Sequence, residues 1–151
     1  MTTMRTWMLA ALAAAGVALV ACDGGGTDTK DCVGTDCASG CVDGVCNYSC
    51  DEGDCAIDCE GPTCNVDCAG GGCSITCAGD LCTTSCAAGG CGVQCTATTC
   101  DLGCEGDGCS SSCNGADSCE QTCGTGCTLT CGGAATCDQS CGLVDACVTT
   151  P

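Results

Sequence analysis

Residues 64–77 read CNVDCAGGGCSITC, Cys64 to Cys77, with gaps of three, four and three residues between successive cysteines. Each short gap centres one aliphatic residue, Val66 or Ile75, between two cysteines and flanks it with polar or small ones. That is the period-two alternation of a half-buried β-strand. The longer gap, Ala69-Gly70-Gly71-Gly72, is turn chemistry, because glycine reaches positive φ without steric cost. The stretch therefore reads as strand, turn, strand.

The same unit repeats from Cys32 onward. Cysteine spacings alternate between five and four, a period of nine, as far as Cys113. They then slip: Cys113–Cys119, Cys131–Cys137 and Cys141–Cys147 span six, and Cys123–Cys127 spans four. Every C-x-x-x-C step, from Cys37–Cys41 through Cys137–Cys141, nevertheless keeps three intervening residues. A residue inserted in a strand turns every later side chain to the opposite face, whereas a surface turn absorbs it. The short gap is therefore strand and the long gap turn. Ile57, Val93, Leu102 and Leu129 take the same middle position, with Tyr48 and Thr84 as larger or more polar variants. The long gaps carry EGPT after Cys59, AGDL after Cys77 and EGDG after Cys104, and Pro62 presets its own φ near about −65°.

Composition explains why the unit needs sulfur. Among 151 residues there are 27 cysteines and 25 glycines, no phenylalanine, one tryptophan and one tyrosine, too little bulky apolar material for an ordinary core. Cysteine at this density belongs either to a disulfide scaffold in an oxidising compartment or to a thiolate metal store in a reducing one.

The N-terminus favours the first. Residues 1–21, MTTMRTWMLAALAAAGVALVA, place one positive charge at Arg5 before an apolar stretch from Trp7 to Ala21. That stretch is shorter than the roughly 20 residues a membrane-spanning helix needs, so it reads as an export signal. It ends Leu19-Val20-Ala21-Cys22, which resembles the lipobox of bacterial lipoproteins. The resemblance implies cleavage before Cys22, a diacylglyceryl thioether on its sulfur, and a bacterial envelope location with the membrane as partner through that lipid. Asp23 resembles an inner-membrane retention signal of some bacteria, but sorting rules differ between lineages and the choice of membrane stays open. Residues 22–31 then form the lipidated cysteine and a flexible tether, DGGGTDTKD, and residues 32–151 the repeat domain.

Setting Cys22 aside leaves 26 of the 27 cysteines, an even set in an exported chain. Two cysteines at the ends of an extended short gap lie about 13 Å apart, beyond the reach of a disulfide. Those flanking a turn are brought together by it. Pairing across each turn gives Cys32–Cys37, Cys41–Cys46, Cys50–Cys55, Cys59–Cys64, Cys68–Cys73, Cys77–Cys82 and Cys86–Cys91. It continues through Cys95–Cys100, Cys104–Cys109, Cys113–Cys119, Cys123–Cys127, Cys131–Cys137 and Cys141–Cys147, with none left over. A rival pairing joins equivalent cysteines on stacked coils, and both stay open at this point.

The expected fold is all-β, a disulfide-stapled parallel β-roll or solenoid of nine-residue C-x-G-x-x-C-x-φ-x repeats. A flat meander would leave one face of a wide sheet uncovered, whereas a roll with two repeats per coil buries two sheets against each other. Residues just after the first cysteine of each strand separate alternately into a larger polar series (Asn47, Asn65, Thr83, Asp101, Glu120, Asp138) and a small or neutral one (Ala56, Ser74, Gly92, Ser110, Thr128). Two different faces are what a roll predicts. The repeat is similar to the calcium-binding nonapeptides of secreted bacterial toxins, which build a β-roll. Where that family carries a calcium-ligating aspartate two residues before the aliphatic position, this chain has cysteine, as at Cys64 and Cys73, so those calcium sites do not carry over.

Charge and composition narrow the functions. Once Arg5 leaves with the signal, the formal net charge of −17 becomes −18, which repels nucleic acid and anionic membrane surfaces. The remaining chain has no histidine and one basic residue, Lys30, so triads, Schiff bases and histidine acid–base catalysis are unavailable. No C-x-x-C redox motif occurs. Metallothioneins share the cysteine content but favour C-x-C and C-x-x-C clusters. Disulfide-stapled solenoids that bind ice resemble this chain in build but present regular Thr-x-Thr ladders, and here only Thr128 and Thr130 fit that spacing around the aliphatic middle residue of a strand. The expectation is a lipid-anchored, non-enzymatic structural or interaction module without a cofactor. Its alternative is a divalent-cation surface, with the crowded segment Asp51, Glu52, Asp54, Asp58, Glu60 and Asp67 and the trio Asp101, Glu120 and Asp138 as calcium-suited oxygen ligands.

Overall fold

Each C-x-x-x-C segment extends because the alternation gives cysteine, middle residue and cysteine one common face to bury. In the segment that supplies Ser74–Cys77, Ile75 and Cys77 are buried while Ser74 and Thr76 are exposed. The structure, a computed structural model, describes residues 27–31, 44–142 and 148–151. Its strands are β1 (Thr27–Asp31), β2 (Val45–Ser49), β3 (Ala56–Cys59), β4 (Thr63–Asp67), β5 (Ser74–Cys77), β6 (Leu81–Ser85) and β7 (Gly92–Cys95). They continue as β8 (Thr99–Cys104), β9 (Ser110–Cys113), β10 (Ser118–Cys123), β11 (Thr128–Thr130), β12 (Thr136–Cys141) and β13 (Val148–Thr150).

Successive strands from β2 onward alternate between two sheets. The first has the order β1-β2-β4-β6-β8-β10-β12 and the second β3-β5-β7-β9-β11-β13, and every pairing is parallel. The chain is thus an all-β solenoid of about six turns in which neighbouring coils are separated by the usual strand spacing of about 4.8 Å. Register puts cysteine beside cysteine: Cys64 pairs with Cys82, Cys82 with Cys100, and Cys100 with Cys119. Extra residues fall outside the strands. Thr99 pairs with Ser118 and Thr128 with Val148, so offsets of 19 and 20 replace the usual 18 while the pairing stays unbroken.

One boundary differs from expectation. Thr27–Asp31, read from composition as part of the tether, forms β1 and pairs residue for residue with β2, from Thr27 beside Val45 to Asp31 beside Ser49. Its sequence, TDTKD, lacks cysteine and aliphatic residues. The pairing uses backbone N–H and C=O groups, which the edge of β2 offers to any extended neighbour. Composition marks a segment as unable to build a core, not as unable to extend one. Among the described residues the coil stack therefore begins with Thr27–Asp31, ahead of Cys32.

Between the sheets lies a narrow core. Ile57, Ile75, Leu102 and Leu129 run along its centre, each at most 2% exposed, with columns of cysteine on either side. At the corner leading from the first sheet to the second, the turns are bonded to each other as well. Asp54 N–H donates to Gly71 C=O at 2.9 Å, Gly72 to Gly89 at 2.9 Å, Gly90 to Asp107 at 2.8 Å and Gly108 to Thr125 at 2.9 Å. Backbones approach so closely there that side chains are excluded. Gly71 has φ of 75°, and a Cβ on it would lie 2.6 Å from the Gly89 carbonyl oxygen. Gly92, at the start of β7, faces open space instead.

Two outcomes follow from this packing. Gly71→Ala should lower stability by about 2 kcal/mol or more through backbone strain and the carbonyl clash, whereas Gly92→Ala should change it by less than about 1 kcal/mol, read from denaturant unfolding midpoints. Full reduction should abolish β-type circular dichroism, since each short loop opened forfeits about 2 kcal/mol that so thin a core does not replace.

Candidate functional site

Ten disulfides lie within the described residues, every one across a turn. At the first corner, leaving the first sheet, they are Cys50–Cys55, Cys68–Cys73, Cys86–Cys91, Cys104–Cys109 and Cys123–Cys127. At the second corner they are Cys59–Cys64, Cys77–Cys82, Cys95–Cys100, Cys113–Cys119 and Cys131–Cys137. Their Cα atoms are 6.1 to 6.5 Å apart, within disulfide reach, although the loops closed differ by up to two residues. The turn-spanning pairing holds at these ten, and none of them joins two coils. Cys46 and Cys141 are also disulfide-bonded. Cys22, Cys32, Cys37, Cys41 and Cys147, with residues 1–21 and 23–26, lie outside the described residues.

The acidic residues sort by face. Asp101, Glu120 and Asp138 are exposed on the outer side of the first sheet and stand in direct register, Asp101 beside Glu120 and Glu120 beside Asp138. Asp101 and Asp138 are two strand spacings apart, about 9.6 Å, so the trio makes a row rather than a cage. Among the described residues, the groups of three potential ligand atoms that converge within 4.8 Å are all cysteine sulfurs, and those sulfurs are tied up in disulfides. The crowded run does not stay crowded. Asp51, Glu52 and Asp54 occupy a first-corner turn, Asp58 the outer face of the second sheet, Glu60 the second corner and Asp67 the outer face of the first sheet. Coiling with two repeats per turn scatters a linear cluster around the rod.

The two outer faces differ in chemistry as well as residue size. On the first, Asn65 Nδ2 donates to Asn47 Oδ1 at 2.9 Å, starting a polar row that continues through Thr83 to the three carboxylates. On the second, the outward residues of β5, β7, β9 and β11 are Ser74 and Thr76, Gly92 and Gln94, Ser110 and Ser112, Thr128 and Thr130, with no charge among them. Asp58 on β3 is the charge at its near end. Open hollows lie on both faces, one lined by Asn47, Asn65, Asp67 and Thr83, the other by Ser74, Gln94, Ser110 and Ser112 where Gly92 contributes no side chain.

One internal feature departs from the repeat rule. Beyond Ser39 and Thr84, the middle position of the strand motif is polar at Ser111, Gln121 and Gln139. Gln121 is fully buried and donates through Nε2 to Ser111 Oγ at 2.8 Å. Gln139 Nε2 donates to Gln121 Oε1 at 2.9 Å, and Thr149 Oγ1 donates to Gln139 Oε1 at 2.8 Å. A buried amide is tolerated only when its bonds are made, and here the chain of partners supplies them. The signal in the sequence is the C-x-φ-x-C motif with φ replaced by glutamine on two successive coils, at Gln121 and Gln139.

No family model matches the chain, and neither a curated protein nor a solved structure matches it.

Because the carboxylates form a row on an exposed face, calcium should act mainly by screening. Millimolar calcium is expected to shift Tm no more than magnesium at equal ionic strength does; a calcium-selective rise would reveal a held ion instead.

Proposed function

We propose that this chain is a lipid-anchored, non-enzymatic structural or interaction module of the bacterial cell envelope. The observation that carries the reading is the set of ten turn-spanning disulfides, nearly all buried, in a chain with little other core. Such a chain needs an oxidising compartment to fold. The leader ending in Leu19-Val20-Ala21-Cys22 is consistent with delivery there and with attachment by lipid. With β1 beginning at Thr27, only residues 23–26 separate Cys22 from the first strand, so an acyl group on Cys22 would hold the rod close to the bilayer surface. The outer side of the second sheet, uncharged from β5 to β11 with Asp58 at its near end, is the face on which a neutral surface could dock while meeting least of the chain's own negative charge. A second reading, a divalent-cation surface, rests on the registered row Asp101, Glu120 and Asp138.

Expression of the full chain in a bacterium that processes lipoproteins should yield a mature protein starting at Cys22, partitioning into detergent and carrying acyl mass. Cys22→Ala should abolish both partitioning and added mass. A wild-type product that stays aqueous and unacylated would overturn the anchoring.

A further inference from the structure

The two columns of disulfides are not equivalent. At the first corner, Cys50 Sγ lies within 4.8 Å of both sulfurs of the next rung, Cys68 and Cys73. Cys68 Sγ lies within the same distance of both sulfurs of the rung beyond, Cys86 and Cys91, and Cys127 Sγ closes a like group with Cys104 and Cys109. All of these residues are buried. At the second corner no such three-sulfur group occurs among the described residues. Turn-to-turn hydrogen bonds form at both corners, Gly72 N–H to Gly89 C=O at the first and Thr98 N–H to Gly79 C=O at the second, so the difference lies in where the sulfurs stand and not in whether the turns are bonded.

We infer that the first-corner column conducts thiol–disulfide exchange between neighbouring coils, across the three rungs from Cys50 to Cys91 and again between Cys127 and the Cys104–Cys109 rung, with a break between Cys91 and Cys104 where no three-sulfur group occurs among the described residues. Exchange proceeds by attack of a thiolate on a disulfide sulfur, and its rate depends on thiolate access to that sulfur. Proximity held by the fold replaces a bimolecular encounter. Consider a thiolate on Cys50. It attacks Cys73 Sγ; the Cys50–Cys73 bond forms, the Cys68–Cys73 bond breaks, and the electron pair leaves on Cys68. The Cys68 thiolate then attacks Cys91 Sγ; Cys68–Cys91 forms, Cys86–Cys91 breaks, and the thiolate resides on Cys86. Each step consumes one thiolate and one disulfide and regenerates one of each, so no oxidant or reductant enters. The initial thiol comes from incomplete oxidation or from attack by a small external dithiol. Attack of Cys50 on Cys68 instead releases Cys73, whose sulfur belongs to no further group, and the walk stops there.

The activity would convert turn-spanning bonds into inter-coil bonds without unfolding. It would also let a damaged rung on one coil be read out on another.

The test places the thiol by substitution. Cys55→Ala leaves Cys50 unpaired at the first corner, and Cys64→Ala leaves Cys59 unpaired at the second. Each folded variant is held in mildly alkaline buffer, quenched in acid, denatured, labelled with a maleimide under acidic conditions and mapped by peptide mass spectrometry. Cys55→Ala should lose label from Cys50 with time and gain it at Cys68, Cys73 and Cys86, while Cys64→Ala keeps its label on Cys59. Cys73→Ala supplies an independent start, with label passing from Cys68 to Cys86 or Cys91, and serves where Cys55→Ala does not fold. Label that stays on Cys50 and Cys68 overturns the relay. Equal spreading in Cys64→Ala overturns it too, because scrambling during folding would then account for both.

Discussion

A covalent bond across a short turn is the constraint on which this molecule depends. Each rung fixes where one strand ends and the next begins, and does so locally, within a single turn. A loop this short costs little entropy to close, so each rung contributes only about 2 kcal/mol, but it does so at every corner. The rungs also define two corners of different character. At both corners the coils come near enough for turn-to-turn hydrogen bonds. The second corner differs in burying the side chains of Ala97 and Ala116 in its turns. Sulfur thus takes the place that aromatic and aliphatic bulk occupies in most domains, and the aliphatic row fills only the space between the columns.

That division of labour leaves the outer faces free of any duty to the core. The first sheet displays amides and then carboxylates, and the second displays Asp58 at its near end and beyond it hydroxyls and a lone glutamine. In a chain this acidic, a side almost without charge is the least costly place to meet a neutral partner. On the reading proposed above, function resides in what the faces present and where the rod is held. The hollows described on the faces are open and lined by uncharged groups apart from Asp67.

Much of this is legible in the residues because the repeat exposes its own rules. Insertions at Cys113–Cys119 and Cys131–Cys137 reveal which gap is turn, and that in turn assigns strands, faces and the roll. Alternation of Asn47 to Asp138 with Ala56 to Thr128 correctly separates the two sheets. What composition misses is backbone behaviour. Thr27–Asp31 has the content of a tether and the geometry of a strand, since a sheet edge pairs with peptide groups and is indifferent to side chains. The acidic run from Asp51 to Asp67 resembles a site only while proximity in sequence stands in for proximity in space, and a coil built of two repeats undoes that. Gln121 and Ser111 are hidden because a rule stating that the middle position is aliphatic conceals its exceptions, and those exceptions answer one another across the core.

The confinement of each of these ten rungs to one turn has a consequence for how such a chain changes over generations. Excising two adjacent repeats from the middle, or duplicating them, removes or adds whole rungs and leaves the remaining cysteines with their own mates. Rod length is therefore free to change in steps of one coil, without the mispairing that would follow in a protein whose bridges interlock.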